Sequence, residues 1–179
     1  MRLFVAIGIP ERLRPALTAL QAGVPGARWV KPENFHLTLC FIGEVDGGMA
    51  QDIDTEMLRI LGRPFELALN GVGFFGDGAA ARALYVGVAD NPALILLQQK
   101  VETALRRIGT KADRKKFLPH VSLARFAGKT EPGHHLAQFM ASHSLFKCPP
   151  FTVADFALYS SMVGKAGVIY RIEADYPLR

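Results

Sequence analysis

Two short stretches constrain this chain more than anything else in it. Phe35-His36-Leu37-Thr38-Leu39 is answered by Pro119-His120-Val121-Ser122-Leu123, with the histidines 84 positions apart. Around them, the opening apolar runs at Leu3 and Ala83 are 80 apart, and Pro64-Phe65 answers Pro150-Phe151 at 86. Three offsets of similar size in the same order predict one β-α-β-α-β unit used twice, with a few residues inserted in the second copy. The chain has 179 residues, half of them apolar and about a fifth charged, which excludes a disordered tail, a collagen and a long coiled coil.

The elements follow from the pattern. Strands are expected at 3–9, 35–43 and 83–89, and at 120–126, 151–160 and 168–175, the last two as a hairpin turned at 164–167; 65–75 is extended. Helices are expected at 11–22, 49–61, 91–108 and 132–143, and turns at 23–26 and 76–78. No apolar run reaches the roughly 18 residues of a membrane span. The N-terminal run lacks the length and cleavage site of a secretory signal, so a cytoplasmic protein is expected. Cys40 and Cys148 stand alone and read as small apolar residues, not as a disulfide framework.

Strand side chains alternate between faces. His36 and Thr38 therefore share one face, with Leu37, Leu39 and Phe41 on the other. His120 and Ser122 are paired in the same way against Val121 and Leu123. If the two copies face each other, two imidazoles and two hydroxyls meet in one volume. That set suits hydrolysis of a phosphodiester by in-line attack. One group takes a proton from water and another gives one to the departing oxygen, and imidazole titrates where it can do either. The hydroxyls can donate to the non-bridging phosphate oxygens, where charge builds during attack.

Charge is uneven. The window 100–129 holds nine basic and two acidic residues, a local +7 against −2 for the rest of the chain. Such a patch attracts phosphate-bearing partners. Its loop Arg114-Lys115-Lys116, just before His120, is a candidate contact for a nucleic-acid backbone. Simple alternation puts Arg125 on the face opposite His120, so it reaches the cleft only where the strand twists, bulges or ends. Trp29 and Phe35 either stack on a base or pack at the lobe edge, and Tyr159 belongs either to the cleft or to the core. His134, His135, His143 and Cys148 match no standard ligand spacing for zinc, and Cys40, which alternation places on the face of His36 and Thr38, lacks an orienting acid for nucleophilic catalysis.

The segments 35–43 and 119–125 resemble the paired tetrapeptides of the 2H phosphoesterases, and among them the RNA 2′,3′-cyclic phosphodiesterases once called 2′-5′ RNA ligases. Arg2-Leu3-Phe4-Val5-Ala6-Ile7, Arg28 through Asn34 and Leu158-Tyr159-Ser160-Ser161 fit the same branch. The resemblance implies an α+β fold: two pseudo-symmetric lobes, each a mostly antiparallel β-sheet with helices on its outer face, around a central cleft. It implies a single domain over 1–179, with lobes of about 1–78 and 79–179 and room for strand exchange between them. It further implies metal-independent hydrolysis of an RNA or oligonucleotide 2′,3′-cyclic phosphate to a 2′-phosphomonoester, without a cofactor, by a monomer. His36 would be the proton donor and His120 the proton acceptor, with Thr38 and Ser122 gripping the phosphate and Arg125 contacting substrate. Ser122 stands where threonine is common, keeping the hydroxyl and losing the methyl that fixes its rotamer. Two other readings compete: 2′-5′ ligation of RNA ends in the same site, and a non-catalytic RNA-binding module using the basic region 100–129.

Overall fold

The computed structural model describes residues 1–77, 80–111, 115–130, 132–165 and 167–179, without the side chains of 128–130. Ten strands and four α-helices follow one another: β1 (Arg2–Gly8), α1 (Arg14–Thr18), β2 (Ala27–Trp29), β3 (His36–Glu44), α2 (Gly47–Leu58), β4 (Phe65–Leu67), β5 (Leu69–Asp77), β6 (Ala80–Val88), α3 (Pro92–Arg107), β7 (His120–Thr130), α4 (His134–His143), β8 (Phe151–Val153), β9 (Asp155–Gly164) and β10 (Gly167–Pro177). This is the α+β class that the resemblance implies. One antiparallel sheet runs β10-β9-β1-β3-β7-β6-β5, with β2 also on β7, and β4 with β8 forms a separate ribbon.

Apart from β10 at one end, that order is symmetric about its centre. The histidine strands β3 and β7 meet at the centre, the opening strands β1 and β6 flank them, and outside those lie β9 and β5. One strand of each half has crossed over: β5 pairs with β6, and β9 with β1. The lobes are thus built from both halves of the chain.

The helices behave as their apolar spacing requires. In α3, Leu94, Leu97, Val101, Ala104 and Leu105 are buried on one stripe. Asn91 caps it, its Oδ1 accepting from Leu94 N at 3.0 Å while its Nδ2 donates to Glu66 O at 2.7 Å. The first helix is shorter than its stripe suggested. Glu11–Leu13 is a 3-10 turn, and α1 starts at Arg14 with Pro15 in its first turn, where a missing amide costs nothing. It gives way to i→i−3 bonds from Leu20 and Gln21. Beneath the sheet, Leu3, Val5, Ile7, Leu37, Leu39, Val121 and Leu123 join the helix stripes in one core.

Candidate active site

Strands β3 and β7 share the single pair Leu37–Val121, and both side chains are fully buried. The residues that flank this pair in each strand, His36 and Thr38, His120 and Ser122, therefore turn to the other side of the sheet, all half-buried. The four polar groups expected to converge lie on one face, on two strands hydrogen-bonded to each other.

Each histidine is held in the same way. His36 Nδ1 lies 2.7 Å from the carbonyl oxygen of Asn34, and His120 Nδ1 lies 2.7 Å from that of Leu118. A carbonyl only accepts, so Nδ1 carries the hydrogen and Nε2 of the neutral ring presents its lone pair. Both carbonyls belong to the residue two before the histidine, just ahead of the strand. In the first case that residue ends the 3-10 turn Pro32–Asn34, closed by Phe35 N to Pro32 O.

Aromatic rings surround both imidazoles. Phe4 lies 5.0 Å from His36 and Tyr170 meets it edge-on at 5.1 Å, while Tyr159 stacks on Phe4 at 5.1 Å. Phe75 meets His120 edge-on at 4.8 Å and Tyr85 at 5.5 Å. Burial among these rings drives the His36 pKa down to about 4; the Asn34 carbonyl works against this, and the charges of Arg125 and His120 add to it. His120 is lowered from its ordinary value for the same reasons: burial first, opposed by the Leu118 carbonyl and reinforced by Arg125. At neutral pH both rings are free bases.

Arg125 acts on both histidines because a bulge re-aims it. The β6–β7 register slips by one between Leu84–Ala124 and Tyr85–Ser122, leaving Leu123 as the extra residue. Leu123 and Ala124 are both buried, and alternation resumes with Arg125 on the face of His120 and Ser122. Simple alternation is overturned there. The same slip occurs in β3, between Val5–Cys40 and Ala6–Thr38, with Leu39 as the extra residue. It sends Cys40 into the core, 6% exposed, and Phe41 onto the cleft face beside Phe4, 5.8 Å away. The expectations that Phe41 shares a face with Leu37 and Cys40 one with His36 both fail for this reason.

The remaining candidates separate. Lys115 and Lys116 border a recess of about 250 Å³ together with Thr38, Phe75, Gln98 and His120; Arg114 lies outside the described residues. Tyr159 belongs to the aromatic wall beside His36. Phe35 is 2% exposed inside the core, so it has no face to offer a base. Trp29 packs against the core from β2, opposite Ala124. Phe4, Tyr170, Phe75 and Tyr85 were missed by sequence reasoning. Only their placement opposite or beside the histidine strands reveals them, and that requires the crossed strand order. Among the described residues no group of three or more His, Cys, Asp and Glu side chains could hold a metal ion, and no helix is long and apolar enough to cross a membrane.

Comparison with known proteins places this arrangement. Residues 7–85 and 86–170 each match the family model described as LigT like Phosphoesterase. An RNA 2′,3′-cyclic phosphodiesterase of Archaeoglobus fulgidus is 32% identical over 96% of this chain and 97% of its own. One from Thermotoga maritima is 29% identical over 96% and 92%. Among solved structures, a Thermus thermophilus protein, TT0787, superposes with a TM-score of 0.83 at 26% identity, covering 100% of this chain and 98% of its own. E. coli LigT complexed with 3′-AMP does so at 0.80 and 26%, covering 99% and 97%.

Proposed function

The chain belongs to the LigT-like phosphoesterase family, and on that premise we propose that it hydrolyses RNA or oligonucleotide 2′,3′-cyclic phosphates to 2′-phosphomonoesters, with His36 as proton donor and His120 as proton acceptor. The observation that carries the reading is the matched setting of the two imidazoles. Each donates Nδ1–H to the carbonyl two residues back and so keeps Nε2 for the reaction. The phosphorus sits between them. His120 Nε2 takes a proton from water as its oxygen attacks, the P–O3′ bond breaks in line, and His36 Nε2–H protonates the departing O3′. Thr38 and Ser122 donate to the non-bridging oxygens and Arg125 supplies positive charge on the same face. Solvent then removes the proton from His120 and returns one to His36.

His36 starts the cycle protonated, although burial holds its pKa near 4. The phosphodiester anion supplies the missing stabilisation, since an opposite charge within a few ångströms raises an imidazole pKa. Both imidazoles come from one chain, so the reading takes the protein as a monomer, and as one domain doubled from a unit of some eighty residues. RNA is its partner through Lys115, Lys116 and Arg125, and it works in the cytoplasm.

An oligonucleotide ending in a 2′,3′-cyclic phosphate, digested in the presence of a chelator, tests the proposal. Wild type should yield the 2′-monoester, and His36→Ala and His120→Ala should each lose at least about 100-fold in kcat. Turnover unchanged in either variant refutes it. A longer chain formed with a 5′-hydroxyl partner would make ligation the reaction, and RNA binding without turnover would make the protein a binding module.

A further inference from the structure

Helix α3 carries a residue out of keeping with its place. Its buried stripe reads Leu94, Leu97, Gln98, Val101, Ala104 and Leu105, and Gln98 is only 8% exposed where the spacing calls for another aliphatic side chain. An amide in such a position costs stability unless its hydrogen bonds are made. Gln98 Nε2 donates to Glu102 Oε2 at 3.3 Å. Its Oε1 has no partner among the described residues, and none of their fully buried side-chain oxygens is left unsatisfied. The oxygen is therefore not sealed from solvent, and Gln98 lines the recess beside Thr38 and His120.

We propose that this recess is a nucleobase subsite of the phosphate-processing centre, and that Gln98 reads the edge of the base. The proposal rests on the cyclic-phosphate reading of the site and adds to it a residue that selects the nucleotide. Phe75 and Phe117 border the recess, and aromatic rings are the side chains on which a planar heterocycle stacks. The amide offers one acceptor and one remaining N–H side by side, the pattern that pairs bidentately with a base edge. Lys115 and Lys116 stand at the recess as cations for the nucleotide's own phosphates. At about 250 Å³ the space lies below the roughly 300–1,000 Å³ of drug-sized ligand sites and suits one ring system. Sharing Thr38 and His120 with the centre, it lies within reach of a phosphate bound there.

Two substrates separate base recognition from chemistry: adenosine 2′,3′-cyclic phosphate, and the base-free 2′,3′-cyclic phosphate of 1-O-methylribose. Gln98→Met keeps the buried volume and removes the hydrogen bonds. It should raise KM for the adenosine compound about fivefold, leave kcat unchanged and leave the base-free compound unaffected. Equal changes on both substrates, or none on either, overturn the subsite. Melting curves confirm that the variant is folded. Absence of turnover in the wild type would overturn the reaction, and the recess is then judged by binding. Adenosine 3′-monophosphate titrated into the wild type should shift the Gln98 side-chain amide resonances. A titration that leaves them in place overturns the subsite whatever the reaction.

Discussion

Arg125 shows how far a single extra residue in a strand reaches. Its charge lowers both imidazoles, so Arg125→Ala should move both pKa values upward in an NMR titration of the ring protons. The acid limb of the pH–rate profile for the free enzyme should shift upward with them. His36 also links folding to pH. Its folded value of about 4 lies below its ordinary 6.5, so the unfolded chain binds the proton more readily. The stability this gives is complete above about pH 6.5 and is lost as pH falls toward 4. Denaturant titrations should show that decline, and His36→Asn should remove its share of the slope. His36, Thr38, His120 and Ser122 were legible in the sequence because period-two alternation and burial are local facts. Phe35 was not, because which aromatic of Trp29 and Phe35 enters the core depends on packing from distant elements.

At the level of elements, the bulges are what the sequence concealed. Leu-Cys-Phe and Leu-Ala-Arg give no local sign of an unpaired residue, since Leu39 and Cys40, like Leu123 and Ala124, are all apolar and all buried. The slip follows from how β3 and β7 meet their outer neighbours β1 and β6. Deleting Leu123 should restore unbroken alternation with Ala124 buried and Arg125 still on the cleft face, so both imidazole pKa values should stay low, unlike those of Arg125→Ala; NMR titration reads this directly. The helices were more legible. The stripe of α3 and its Asn91-Pro92 start are strong local signals, whereas α1 lost its second half and the three-residue β2 was unseen. Asn91 holds both the helix and the neighbouring β4, so Asn91→Ala should cost about 1 kcal/mol or more in chemical denaturation.

For the molecule as a whole, the strand order settles what a half can do by itself. Residues 1–77 contain β5 without its partner β6, and β1 without its partner β9. Separately expressed fragments 1–77 and 80–179 should each be unfolded by circular dichroism and should regain sheet structure when mixed. The doubling was legible from matched spacing, but the crossing of β5 and β9 was not, because which strand pairs with which is decided by long-range register. One further consequence lies in the pair Phe41 and Arg125, each re-aimed by its own bulge onto the shared face. Two identical short chains assembled about an exact dyad would be obliged to place the same side chain at both positions. A continuous polypeptide is released from that obligation: it sets a hydrocarbon ring at one end of the groove and a fixed cation at the other, and so gives a bound diester a direction.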